Sequence, residues 1–181
     1  MLRGAGVVLR PPTASDHEAW ATARAASRAA LTPFEPRWTP DELSRTAYKA
    51  RLKRMQHDMR NDFGHAFFVF DPVTRALMGG ISLSGLRRGV SQSAFVGYWM
   101  ATPYTGRGVA TAAVRRIIDY GFEDLRLHRL EAACMPHNAA SLRVLEKARF
   151  VREGLARGFL EINGAWEDHV LLALLAEDRT P

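Results

Sequence analysis

The residues best placed for chemistry are two glycines. Gly106 and Gly108 flank Arg107 where the apolar, aromatic segment Phe95–Met100 gives way, through Pro103, to an amphipathic helix starting at Val109. The first N–H groups of a helix lack partners and point outward, and glycine lets a ligand approach the main chain, so this turn suits a phosphate. A Gly-x-Gly pair also serves as an ordinary strand-to-helix turn, and the rest of the chain must decide between the two. A second candidate is the connection LTPFEPRWTP, in which Pro33, Pro36 and Pro40 hold Phe34, Glu35 and Trp38 in a stiff, non-helical path. Its aromatics and carboxylate either line a substrate pocket or cover the core. His65, His128, His137 and His169 have no metal-ligand spacing, and no Ser-His-Asp arrangement can be read, so no metal is expected. Cys134 lies in a predicted strand and reads as packing, with a covalent relay through its thiol as the lesser alternative.

The elements that must position these residues follow from periodicity. Val7–Arg10 reads as a first strand ended by Pro11 and Pro12, and a helix opens near Thr13 or Ser15 and runs to about Ala29. A second helix is predicted from Asp41 to just before Gly64. Two antiparallel strands, Ala66–Pro72 and Ala76–Leu86, lead into the strand before the glycines. The helix from Val109 extends to about Leu125, a strand covers His128–Met135, and a short helix runs from Asn138 to about Ala148. The last two strands join at Asn163-Gly164, the strongest hairpin signal in the chain. The order is β α α β β β α β α β β. It predicts one domain over residues 1–181, of the α/β (α+β) class, with a mixed, mostly antiparallel sheet of about seven strands and helices on both faces.

Size and composition narrow the function. At 181 residues, 47% hydrophobic and 24% charged, the chain suits one well-packed globular domain. Its apolar runs fall short of the roughly 18–20 residues of a membrane helix, and the N-terminus lacks the apolar core of a signal peptide. The one cysteine excludes an internal disulfide, so a reducing cytoplasm is the expected location. A net charge of +6 favours a polyanionic partner: a phosphorylated cofactor, RNA or an acidic protein surface. No aromatic-plus-basic motif of an RNA-reading module appears, and neither DNA nor a membrane is an expected partner.

The element order and two local motifs resemble the GNAT family of acetyl-coenzyme A-dependent N-acetyltransferases. Thr105-Gly106-Arg107-Gly108-Val109-Ala110 is similar to that family's pyrophosphate loop, Q/R-x-x-G-x-G/A, and the segment Asn138–Lys147 resembles its N-x-x-S-x-x-V-L-E-K stretch. The likeness is nearest to the RimJ/RimL-type branch, the N-acetyltransferases of ribosomal proteins. Leu31–Pro36, Met135–Asn138 and the hairpin Ile162–Val170 resemble loops of that branch. Three positions depart from the pattern. Thr105 fills the Q/R slot, Arg149 replaces a common glycine, and Leu145 stands where many GNAT enzymes carry a general-acid tyrosine.

The resemblance implies acetyl-coenzyme A as cofactor. It places Trp99 and Met100 on a strand that splays from its neighbour to pair with the pantetheine arm, the Met100 N–H being the candidate oxyanion donor. Gly106, Arg107, Gly108, Val109, Ala110 and Thr111 would hold the pyrophosphate, and Asn138 the cofactor arm. Ser141 would donate a hydrogen bond or proton to the leaving sulfur, a surface serine being the plainer alternative. Glu131 and Glu35 are the candidate bases, acting directly or through water. The expected acceptor is a protein N-terminal α-amine, a ribosomal protein by the branch, in an enzyme of one copy or two. A small-molecule amine, such as a polyamine or aminoglycoside, stays open as acceptor. So does a ribosome- or RNA-associated binding protein without turnover, a reading prompted by the charge and the missing tyrosine.

Overall fold

The structure, a computed structural model describing residues 1–179, is built on one twisted sheet of eight strands in the order β1-β2-β3-β4-β5-β6-β8-β7. The strands are β1 (Leu2–Gly4), β2 (Val7–Arg10), β3 (Gly64–Phe70), β4 (Leu77–Arg87), β5 (Ser93–Met100), β6 (Arg129–Cys134), β7 (Val151–Ile162) and β8 (Ala165–Leu175). The helices are α1 (His17–Ala26), α2 (Arg28–Leu31), α3 (Arg45–Arg60), α4 (Val109–Asp119) and α5 (Ala139–Lys147). The mixed, mostly antiparallel sheet agrees with the sequence. It gains a strand because Leu2–Gly4 folds back on Val7–Arg10 through Gly6, whose φ of 73° glycine adopts freely.

Helix boundaries shift for local reasons. Ser27 breaks the first predicted helix after Ala26, because its buried Oγ accepts the Thr102 N–H (2.9 Å). α3 starts at Arg45 and not at Asp41, because the Ser44 Oγ accepts the Ala47 N–H (3.1 Å) and caps it. α4 carries Ala113, Val114, Ile117 and Ile118 on one buried stripe and continues into a wider turn over Tyr120–Asp124. The Asn163-Gly164 turn has φ of 47° and 89°, both positive, as a two-residue type I′ hairpin needs.

Strand alternation sends β5 side chains to two faces. Ala94, Val96 and Met100 join the core beneath α4 and α5. Trp99 points the other way, against the cluster of Trp20, Tyr48, Leu52, Phe68 and Leu77 under α1 and α3.

The sheet is interrupted at its centre. β5 and β6 are the parallel pair, joined only at Ser93–Arg129, Ala94–Leu130 and Phe95–Glu131. Beyond these, β5 stays with β4 as far as the Met100–Gly79 pair, while β6 follows β8 as far as Cys134–Val170. The strands diverge, and a wedge opens between them. The two crossovers behave differently. The one through α4 yields adjacent parallel strands, whereas β6 and β7 run parallel with β8 inserted between them.

Candidate active site

The wedge is open because its main-chain groups have no strand to bond. The Ala101 N–H donates to the Met78 carbonyl on β4 (2.9 Å), and successive residues of a strand present their N–H groups to opposite edges. The Met100 and Tyr98 N–H groups therefore face the wedge. Those of Trp99 and Gly97 face β4. The cavity in the wedge holds about 340 Å³ and is lined by Val96, Gly97 and Tyr98 on one side and by Ala132–Met135, Asn138, Ser141 and Leu145 on the other.

Beyond the end of β5 and the short turn Thr102–Tyr104 stands the glycine turn, at the start of α4. Gly106 and Gly108 have φ of 72° and 80°, and a Cβ at either would meet nothing within 4 Å, so both backbones face open space. α4 makes its first helical bond from the Ala112 N–H to the Gly108 carbonyl (3.0 Å), which leaves the N–H groups of Val109, Ala110 and Thr111 without an i−4 partner. The exposed Arg107 side chain adds a cation beside them. An anion-binding concavity of this kind fits a pyrophosphate, and the adjoining wedge fits an extended arm pairing with β5.

The floor of the cavity carries a hydroxyl pair 43 residues apart in sequence: the Tyr98 hydroxyl lies 2.8 Å from the Ser141 Oγ, and it also donates to the Ser141 carbonyl at 3.2 Å. Burial pushes the Tyr98 phenol up to about 12, despite the hydrogen bond with Ser141 that pulls it down, so it holds its proton throughout the physiological range. Asn138 caps α5, its Oδ1 accepting the Ser141 N–H (3.1 Å), which fixes the serine toward the cavity and leaves the Asn138 amide NH₂ to face a ligand. Burial likewise raises the Cys134 thiol, which keeps it protonated and opposes the covalent relay. Sequence reasoning missed Tyr98. Its signal was the alternation that places it on the face of Val96 and Met100, opposite Trp99. Leu145, at the expected tyrosine position, is buried in the wall of the same cavity, so a phenol reaches this space from β5.

Three expectations are corrected by position. Trp99 turns its main chain to β4 and its side chain to the other face, over Gly80, so it is not placed to touch a cofactor in the wedge. Glu131 sits at the last paired position below the wedge, bound to Arg87 and to Arg129 (Nε donating at 3.0 Å), and lines neither central cavity. Glu35 accepts both Arg24 terminal nitrogens (3.0 and 2.6 Å) and the Trp38 Nε1–H (2.9 Å), which makes it a fixed counter-charge and a poor base. The carboxylate that does reach the wedge is Glu161 on β7, exposed and without an ion-pair partner among the described residues.

On the opposite face of β5 lies a second cavity of about 430 Å³. Its centre is the Arg24 guanidinium, 5% exposed, with the rings of Trp38, Trp99 and Trp20 at 4.5, 5.0 and 5.9 Å. The proline-bounded loop forms the roof, tied to the hairpin tip by the Asn163 N–H donating to the Glu35 carbonyl (2.9 Å) and by Arg37 over Gly164. α3 supplies the outer wall with Arg51, Arg54 and Met55. Pro36, Gly97 and Tyr98 line both cavities, so the two meet at the middle of β5. Among the described residues no group of three or more His, Cys, Asp and Glu is placed to hold a metal, and no helix is long and apolar enough to cross a membrane.

Comparison with known proteins agrees with this geometry. Residues 7–151 match a family model described as an acetyltransferase (GNAT) domain. A probable N-acetyltransferase, YjcK of Bacillus subtilis, is 38% identical over 178 residues, 98% of each chain. The [ribosomal protein uS5]-alanine N-acetyltransferase of Escherichia coli is 32% identical over 168 residues, 92% of this chain and 87% of that one. Among solved structures, Mycobacterium smegmatis RimJ in complex with CoA-disulfide superposes with a TM-score of 0.93 at 33% identity, covering 99% of this chain and 88% of the other.

Proposed function

Because the chain belongs to the GNAT acetyltransferase family, and so is an N-acetyltransferase, we propose that it acetylates the α-amine of a protein N-terminus, with a ribosomal protein as the acceptor suggested by its relatives. Acetyl-coenzyme A, when bound, supplies an acetyl group activated as a thioester and a sulfur that must leave with a proton. The turn Gly106–Thr111 binds the pyrophosphate, and Asn138 orients the arm. The Met100 N–H, facing the wedge, stabilises negative charge on a carbonyl oxygen placed there. Ser141 would hand a proton to that sulfur and take one back from Tyr98, and the proton shed by the acetylated amine, returning through water, would restore the phenol. Tyr98 also answers one of the two grounds for a binding protein without turnover, the tyrosine missing at Leu145, and leaves the other, the net charge of +6.

The observation that carries the choice of acceptor is the second cavity, which shares Gly97 and Tyr98 with the wedge as lining residues and is rich in arginine and tryptophan. It is roofed by the proline-bounded loop and walled by α3, a shape that suits an extended chain entering amine first. Its cations oppose a polyamine. The amine supports the same choice: an α-amino group has a pKa of about 7.7–8.0 against about 10.4 for lysine, so its neutral fraction at pH 7 is greater by roughly 300-fold. A water-relayed proton acceptor such as Glu161 then suffices. The test is an acetyl-transfer screen read by mass spectrometry, with peptides beginning in Ala or Ser beside a panel of polyamines and aminoglycosides. Acetyl groups on peptide α-amines are expected, and transfer confined to the small amines overturns the proposal.

A further inference from the structure

The acceptor cavity carries more positive charge than it neutralises. Arg24, Arg37, Arg51 and Arg54 line it with Glu35 and Glu42 as the facing carboxylates, a surplus of two positive charges. Arg24 is matched by Glu35 and Arg51 by Glu42. Arg54 on α3 is exposed and has no ion-pair partner among the described residues, and Arg37 lies on Gly164 at the hairpin tip. The guanidiniums are close enough to act on one another: burial lowers the Arg51 pKa, and Arg24 and Arg54 lower it further against the pull of Glu42 and Glu35. A separate observation lies deeper. The Arg24 Nε–H is buried and has no partner among the described residues, although both terminal nitrogens of the same side chain are bonded. A buried, unpaired donor on a charged group is costly, and an acceptor atom from outside the chain would satisfy it.

Resting on the protein N-terminal reading above, we propose that this cavity selects an acidic peptide: Arg54 and Arg37 receive a carboxylate downstream of the reactive amine, while Arg24 Nε donates to a main-chain carbonyl of the entering segment. The amine enters at Gly97, and the residues behind it run out beneath the roofing loop, between Arg37 at the hairpin tip and Arg54 on α3. The tryptophans supply apolar walls for the first side chains, and the arginines set the charge of those that follow. The selected feature is thus a pattern within a short peptide, a neutral small residue followed by an acidic one.

The test is a peptide series beginning in Ala, with one residue at each following position set in turn to Glu, Gln or Lys, assayed at low and at high salt. At the best position kcat/KM should favour Glu over Gln by about tenfold and over Lys by about a hundredfold at low salt, with the gap shrinking as ionic strength rises. Arg54→Glu, an exposed change, should invert the order of Glu and Lys peptides while stabilisation by coenzyme A on the opposite face of β5 is retained. If Ala peptides are acetylated with no difference among Glu, Gln and Lys, the charge reading fails and the protein N-terminal reading stands. If no peptide is acetylated, both fail together. An unchanged order in Arg54→Glu overturns the role given to Arg54.

Discussion

The two cavities that meet on β5 are built from different materials. The donor wedge consists largely of main chain: glycines at positive φ, unpaired N–H groups of α4 and the free edge of β5, with Asn138, Ser141 and Tyr98 as its polar side chains. The acceptor cavity consists of side chains, three tryptophans around one arginine with a ring of further charges. A backbone site tolerates variation in side chains and is fixed by geometry. A side-chain site changes with each substitution. On the function proposed above, the common chemistry of acetyl transfer would rest on the part least exposed to sequence change, and the choice of acceptor on the part most exposed to it.

That contrast predicts opposite failures. Gly108→Trp fills the open space above the turn, at a φ of 80° that costs a side chain about 1–2 kcal/mol. Stabilisation by coenzyme A in a thermal shift assay should disappear, and kcat/KM should fall by about a thousandfold or more. Arg24→Met does the reverse. It leaves the half-buried Glu35 without its bidentate partner, so urea unfolding should show a loss of about 1–3 kcal/mol while stabilisation by coenzyme A survives. A variant that keeps its stability would show that Arg24 does not organise the acceptor wall.

Within the wedge, Ser141→Ala and Tyr98→Phe should each lower kcat by about a hundredfold, with the KM for acetyl-coenzyme A changed by less than about threefold. Equal losses of affinity would make Ser141 a binding residue. The phenol pKa of about 12 adds a sign to this: Tyr98 is the proton-holding partner at every working pH, so any alkaline fall in rate below about pH 10 should persist in Tyr98→Phe.

The smallest effect concerns a departure seen in the sequence. Arg149 has φ of 71° at the end of α5, where the Phe150 N–H donates to the Leu145 carbonyl and the Arg149 N–H to the Glu146 carbonyl (3.0 and 2.9 Å). This is the Schellman termination, whose left-handed position favours glycine. Arg149→Gly should therefore raise stability by about 0.5–1 kcal/mol without altering kcat.

How far the sequence could be read follows the same division. The Gly106–Gly108 turn, the Asn138 cap and the Asn163-Gly164 hairpin were legible because each is a local rule, in which residue type answers to a φ angle or an orphan N–H within a few positions. The sheet order was legible as a class, but not the Leu2–Gly4 strand, whose signal is too short to carry a period. What could not be read were pairs joined only by tertiary packing. Tyr98 meets Ser141 across 43 residues, and Glu131 is occupied by Arg87 and Arg129. Glu35 looked like a free base on a loop because nothing in its neighbourhood shows that Arg24 will be turned toward it. Trp99 differs, since alternation along β5 does separate its face from that of Tyr98 and Met100.

The most direct test is Gly97→Val. A Cβ at Gly97 would meet only the Ser82 Oγ, at 3.6 Å, an ordinary contact, and valine suits a strand, so the fold should be kept. Its side chain would stand where the two cavities join. If amine and thioester meet there, the variant will bind coenzyme A with the wild-type thermal shift and yet transfer acetyl to an Ala peptide at least about a hundredfold more slowly. Undiminished transfer by a folded Gly97→Val enzyme would contradict the account.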